Sequence, residues 1–349
     1  MDTAHQTVLL TARCHCEKHV FTTSIPSSAL PLHASLCHCT SCRRNTGALY
    51  FGCTAWPNPE EDLSRLKRYP FSPGTDVFSC GACASQLFCR GTRPGEPPEV
   101  VTSALVEDWP DLVRYSRNIF VGDTVDGGAS VLLGEWADGQ PLERWRGHGN
   151  KSEELPLGWP YGPKLTEEEG DQEHGPVFTR LACHCNGVNL FLRTAPDDKP
   201  RLIVDACPAS RQAVSADIVF WASATIGSIV PEPDMSSASL FASSTDMDMV
   251  MAREDTRLGT LGRDSRAPHD EQTTTTYSCK ACSATFFQVD EESTDRIFVA
   301  LGVVDYPGGA RAEGLLSWKC VDILGHEESV GWRSRLYDTV NKALRARSR

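Results

Sequence analysis

Long apolar runs are missing from this sequence, and so is any excess of positive charge. No window approaches the roughly 18 apolar residues of a membrane span. The first thirteen residues hold an early Asp and the apolar run Val8-Leu9-Leu10, whereas a secretory signal needs a basic start and about 7–15 apolar residues. Lys plus Arg number 34 against 46 Asp plus Glu, a formal charge of −12. The chain therefore lacks the basic face that nucleic acids and anionic membranes require. Helical periodicity is scarce. Aromatics make up only 8%. With 40% hydrophobic residues the chain can still build ordinary cores, which excludes long disorder, collagen and coiled coil. The expectation is a cytoplasmic protein without a nucleic-acid or membrane partner.

Cysteine is what the chain has in plenty: 15 in 349 residues, several in tight pairs. In a chain expected among reducing thiols, close pairs hold metal more often than they form disulfides. At about 100–200 residues per domain the length suggests two domains.

Internal repetition supports that number. Cys14-His15-Cys16 recurs as Cys183-His184-Cys185, and Cys80-Gly-Ala-Cys83 as Cys279-Lys-Ala-Cys282. Between them, Cys39-Thr-Ser-Cys42-Arg43 aligns with Cys207-Pro-Ala-Ser210-Arg211. The order reads as a duplicated domain, with 1–146 and 177–349 as the two copies. The second copy is longer between its cysteine pairs by about thirty residues, and Pro231–Arg257, rich in Ser, Asp and Met, reads as an inserted, exposed and partly disordered loop. Gly147–Pro176 has linker composition, although Trp159 and Tyr161 suggest that it packs. Short strands are expected at Val8–Ala12, Val20–Thr23, Leu49–Thr54, Asn118–Val121, Val188–Arg193, Asp217–Trp221, Thr274–Ser278 and Arg296–Ala300. Leu336–Arg347, with Leu336, Val340 and Leu344 at helical spacing, is the best helix. The class is mainly β with few short helices.

Cys14 and Cys16 share one face of an extended strand, and Cys80-x-x-Cys83 is the tight-turn spacing of a zinc knuckle. Together they offer a closed, structural Cys₄ zinc set, which Cys183, Cys185, Cys279 and Cys282 repeat. A redox-active dithiol would need a helix N-terminus after its first Cys; strand-like runs follow instead. Cys37-His38-Cys39-Thr40-Ser41-Cys42 differs in kind. Three thiolates leave a fourth tetrahedral position open, the pattern of a catalytic zinc. His38 alternates away from its neighbours and reads as a turn or supporting residue. Arg43 and Arg44 screen the thiolates, receive a substrate carboxylate, or form a solvated surface pair. About three zinc ions per chain are expected, two structural and one catalytic-type.

The order Cys-x-Cys, Cys-His-Cys-x-x-Cys-Arg, Cys-x-x-Cys resembles the glutathione-dependent formaldehyde-activating enzyme family, also called CENP-V/GFA. The resemblance spans roughly Thr11–Arg146 and Thr179–Trp332. Asn118-Ile-Phe-Val121 and Leu258-Gly-Thr-Leu-Gly-Arg263 are similar to the family's later segments. It implies two tandem β-tent domains, with Cys14, Cys16, Cys80 and Cys83 as structural ligands and Cys37, Cys39 and Cys42 as catalytic-type ligands. It also implies a carbon–sulfur lyase (S-(hydroxymethyl)glutathione synthase-like) acting on a glutathione-like thiol and a small carbonyl compound. Departures fall at Glu17, Ala84, Asn186 and Ser283, where the family often has Gly. In the second copy Asp205, Cys207 and Ser210 replace the three-thiol cluster, so a working site there is not expected. Cys53, Cys89 and Cys320 read as core residues. The competing reading is a non-catalytic zinc-binding scaffold or interaction protein, with metal storage behind it.

Overall fold

The computed structural model describes residues 6–347 apart from 137, 161–175, 253–255, 265–273, 291, 292, 294 and 326; the side chains of 252, 256 and 319–323 also lie outside the described set. Strands dominate, and β1 (Thr7–Arg13) and β2 (Val20–Pro26) show why. Leu10, Ala12, Phe21 and Ile25 alternate onto a buried face while their neighbours face outward, the period of a half-buried antiparallel pair.

The chain then builds an eight-stranded sheet. β3 (Leu32–Cys37) passes through helix α1 (Thr40–Thr46) into β4 (Phe51–Ala55). β5 (Lys67–Ser72), β6 (Thr75–Ser79), β7 (Gln86–Gly91) and β8 (Pro98–Val101) follow, then β9 (Val113–Ile119) and β10 (Glu143–Arg144). The order is β10-β9-β3-β4-β8-β7-β6-β5, with β9 parallel to β3.

After residue 176 the pattern returns. β11 (Val177–Ala182) and β12 (Asn189–Thr194) pair antiparallel, and β13 (Arg201–Asp205) passes through α2 (Pro208–Val214) into β14 (Val219–Thr225). β15 (Ile229–Val230), helix α3 (Ser244–Ala252), β16 (Leu261–Arg263), β17 (Thr274–Cys279), β18 (Thr285–Asp290), β19 (Arg296–Ala300), β20 (Val304–Asp305), β21 (Ser317–Leu324) and α4 (Gly331–Arg347) complete the chain. The second large sheet is ordered β16-β17-β18-β19-β14-β13-β21, with β21 parallel to β13. Strand for strand this matches β5-β6-β7-β8-β4-β3-β9. The seven-residue helices correspond too: each ends on a left-handed residue, Gly47 (φ 93°) or Ser215 (φ 61°), whose amide closes on Arg43 or Arg211.

Three expectations change. Pro231–Arg257 is not simply an exposed loop: it contains α3, and Leu240, Phe241, Met247 and Val250 are buried in the core. Two of those four are aromatic or thioether side chains that the polar composition around them had masked. The described part of 147–176 packs on the first half, where Leu155 is buried and Arg144 donates to the carbonyls of Pro156 and Leu157 at 3.0 Å each. Tyr161 lies outside the described residues. The strand expected at Asn118–Val121 ends at Ile119, because Phe120 turns left-handed (φ 54°). No described helix is long and apolar enough to cross a membrane.

The halves share a buried boundary. Gly302 donates to the Gly47 carbonyl (2.7 Å), Asn45 to that of Cys282 (2.8 Å) and Ile218 to the Tyr50 hydroxyl (3.0 Å), while Ser79 bonds Ser283 (2.8 Å). Contact is close enough that a Cβ on Gly47 would lie 2.3 Å from the Thr285 carbonyl oxygen, and one on Gly302 2.3 Å from that of Ala48. α4 crosses back to the first half: buried Arg333 donates to the carbonyls of Thr102 (3.1 Å) and Leu105 (2.7 Å) and pairs with Asp108 and Asp217.

Candidate metal centres

Each Cys-x-Cys follows a strand. Cys14 leaves β1 in a turn where Glu17, at φ 60°, donates back to the Cys14 carbonyl (3.0 Å). The matching knuckle joins β6 to β7, where Ala84, at φ 58°, donates to the Cys80 carbonyl (3.0 Å). Asn186 (φ 55°) and Ser283 (φ 66°) do the same for Cys183 and Cys279. The four departures from glycine thus sit where glycine is the least strained residue.

These turns bring the sulfurs of Cys14, Cys16, Cys80 and Cys83 within 4.8 Å of one another, and those of Cys183, Cys185, Cys279 and Cys282 likewise. The Cys14–Cys16 and Cys16–Cys80 separations are 3.8 and 3.7 Å. In the second set Cys185 lies 3.5 Å from both Cys183 and Cys279. Zinc–sulfur bonds of about 2.3 Å in a tetrahedron give edges of roughly 3.8 Å, so both quartets fit that ion. Backbone amides already point at the sulfurs: His19 on Cys14 (3.3 Å), Ala82 on Cys80 (3.4 Å), Val188 on Cys183 (3.4 Å) and Cys282 on Cys279 (3.4 Å). Hydrogen bonding with Cys80 and Cys83 pushes the Cys14 thiol up, whereas hydrogen bonds from Cys14, Cys16 and Cys80 hold Cys83 down. In each quartet three cysteines are buried and one half-buried. Such sets are closed to solvent.

The third set is open. Cys37 ends β3, Cys39 caps α1, and Cys42 lies in its first turn, all three half-buried with sulfurs within 4.8 Å. The His38 amide is tied to Ile119 of β9 (2.9 Å), and the Cys42 amide donates to the Cys39 sulfur (3.2 Å). Cys39 holds the charge: hydrogen bonds from Cys37 and Cys42 lower it to about 3, while hydrogen bonding with Cys39 pushes Cys37 up and hydrogen bonding with Cys37 and Cys39 pushes Cys42 up.

His38 is buried on the other side. Its Nε2 meets the Asn118 Oδ1 at 2.8 Å, and burial lowers its pKa to about 4, as suits a supporting residue. Arg43 is not a surface residue. It turns inward, donating to the His38 carbonyl (3.2 Å) and Thr40 (3.1 Å), close to the Cys39 charge. Arg44 pairs with Asp305 of the second half at 2.7 Å.

The second-half counterpart has other business. Asp205 accepts from the Cys207 amide (2.9 Å) and the Trp221 indole (3.3 Å), and Ser210 lies 3.4 Å from Gln288. Burial, with Asp205 beside it, pushes the Cys207 thiol up. The three line a cavity of about 420 Å³ with Ile203, Trp221 and Phe298, and they form no metal-holding cluster among the described residues.

Two neighbours of the open set were not legible. Asp123 accepts from the Thr40 amide at the start of α1 (3.3 Å). His184, from the second half, donates its amide to the Arg44 carbonyl (2.9 Å), bonds Tyr69 through Nδ1 (2.7 Å) and stacks on Phe71 at 4.7 Å. It lies near enough for the Cys39 charge to act on it. The repeated Cys-His-Cys places His184 beside a thiol quartet but carries no sign of its reach to the first half.

No curated protein matches the chain. Residues 9–123 match the family model described as glutathione-dependent formaldehyde-activating enzyme, a stretch that contains all seven cysteines of the first half's closed and open sets. The similarity to the glutathione-dependent formaldehyde-activating enzyme family thus lies within the first half of the chain.

Proposed function

We propose that this protein is a zinc-dependent carbon–sulfur lyase of the S-(hydroxymethyl)glutathione synthase type, working in the cytoplasm at Cys37, Cys39 and Cys42. The observation that carries the reading is the contrast between two largely buried thiol quartets and one partly exposed trio, the trio lying within the family-matched segment. Cys14, Cys16, Cys80 and Cys83, and Cys183, Cys185, Cys279 and Cys282, hold one structural zinc each. The trio holds the catalytic-type ion.

When bound there, zinc supplies an open position that favours the thiolate of an incoming thiol and withdraws charge from a carbonyl oxygen. The chain's own residues prepare that position. Cys39 carries charge at neutral pH, the Cys42 amide supports its sulfur, and buried Arg43 balances it from behind. Gly47 closes α1 against the second half, so the thiol trio is set on a braced loop. In the reaction the thiol sulfur adds to the carbonyl carbon, the C=O π bond opens, and the thiol proton ends on the new hydroxyl. The reverse step releases both partners.

The matching strand orders support an ancestral duplication in which 177–349 lost the open trio. The second half then serves to wall and brace the first through His184 and Asp305.

The test follows formaldehyde and glutathione by NMR with zinc-loaded protein. Faster formation and breakdown of S-(hydroxymethyl)glutathione, lost in a folded Cys42→Ser variant, supports the proposal. A rate equal to buffer overturns it and leaves the non-catalytic scaffold.

A further inference from the structure

Two of the cysteines that read as core are not passive. Cys53 on β4 and Cys89 on β7 flank β8, which carries Glu99 between them. Cys89 stands directly opposite Glu99, and Cys53 opposite Val101, two residues along the same strand. By the alternation of a pleated strand all three side chains leave the same face. The Glu99 Oε2 lies 3.6 Å from each sulfur, and the ligand atoms lie within 4.8 Å of one another.

These distances discriminate between the uses of a thiol pair. β4 and β7 are two strand spacings apart, about 9.5 Å, whereas a disulfide spans at most about 7 Å between Cα atoms. The pair is too far apart in the backbone for a disulfide, yet its sulfurs converge. A zinc ion with bonds of about 2.3 Å to sulfur and 2.0 Å to oxygen has sulfur–oxygen edges of roughly 3.5 Å. The carboxylate sits at that edge from both sulfurs. The residues also sort by exposure: Cys89 is buried, Cys53 half-buried and Glu99 exposed, so the site opens outward.

The geometry points to a further zinc site at Cys53, Cys89 and Glu99, with a fourth position facing solvent. Two thiolates and a carboxylate suit borderline zinc better than hard magnesium or calcium. The site shares a sheet face with the catalytic-type trio. Ser35 stands opposite Cys53 and Cys37 opposite Phe51, so Cys37 and Cys53 are diagonal neighbours. A second exchangeable ion therefore sits beside the first, where it can hold a thiol or water at the mouth of the same face. The site stands whether or not the trio is catalytic.

Native mass spectrometry of the zinc-loaded full chain tests it. Cys53→Ser is expected to carry one zinc fewer than the wild type. Cys42→Ser loses a different ion, so the double variant is two short. Glu99→Gln, exposed and isosteric, should fold normally by circular dichroism. In a chelator titration it should release one zinc at least the roughly tenfold more easily that loss of even an outer partner costs. Wild-type stoichiometry and affinity in both Cys53→Ser and Glu99→Gln overturn the assignment. Should Cys53→Ser not fold, Glu99→Gln alone decides. Activity is not the readout, so failure of the lyase proposal leaves this result intact.

Discussion

The Tyr115 hydroxyl of the first half donates to the Asp217 carboxylate of the second at 2.5 Å. Thr102 donates to the same oxygen at 2.6 Å, and Arg333 of α4 reaches the other oxygen at 3.2 Å. All four groups are buried. One carboxylate thus joins β9, the segment before β14, and the C-terminal helix.

Asp217→Asn should therefore cost on the order of 1–3 kcal/mol, because Arg333 keeps its pair with Asp108 but loses the Asp217 carboxylate as a buried charged acceptor. Urea denaturation of zinc-loaded protein reads this directly. A loss below about 0.5 kcal/mol, the range of ordinary surface substitutions, would show that the hub does not hold the halves together.

Burial, followed by the Asp217 charge, raises Tyr115 and Tyr50 well above the ordinary tyrosine range. In the unfolded chain both ionise near about 10. Above that pH the unfolded state binds fewer protons than the folded one, so stability falls as pH rises. Alkaline titration should show these two tyrosinates appearing only together with the loss of circular dichroism. Ionisation of all seven tyrosines in folded protein near their free value would contradict the burial argument.

Ala84 and Ser283 hold left-handed backbone at the two knuckles. Ala84→Gly should stabilise the zinc-loaded protein by roughly 1 kcal/mol, the relief of Cβ strain less the added chain entropy, whereas Ser283→Gly also loses the buried hydrogen bond to Ser79 and should show no such gain. Thermal denaturation with metal present measures the shift; a lowered midpoint in Ala84→Gly would refute the strain argument.

Cys83→Ser and Cys282→Ser should each remove one closed zinc and unfold their half of the chain, since a structural zinc contributes on the order of 10 kcal/mol to folding. Zinc content and far-UV circular dichroism report both effects. A fully folded, zinc-replete Cys83→Ser protein would sink the structural assignment.

The cysteine sets were legible because metal ligation constrains sequence locally: Cys14 and Cys16 share a strand face, and Cys80 and Cys83 share a turn. The strands were legible for a similar reason, through β-branched alternation between turn residues. Short helices were not. Seven residues in α1 and α2 complete two turns at most, too few for periodicity to show, although Cys39 caps the first and Pro208 opens the second. α3 hid in a polar run because its burial rests on few residues, Met247 and Val250 among them. Asp217, His184 and the Cys53–Cys89–Glu99 trio depend on pairings across β4, β8, β7 and the boundary between halves. No local pattern announces such contacts.

The central claim is that Cys37, Cys39 and Cys42 hold an ion with room for a thiol. Cobalt(II)-substituted protein, titrated with glutathione and read by sulfur-to-cobalt charge-transfer absorption, tests it most directly. The account predicts a saturable rise in that band in the wild type and in Cys53→Ser, and none in the Cys42→Ser/Cys53→Ser double variant. An unchanged spectrum in wild-type protein at saturating glutathione would contradict it.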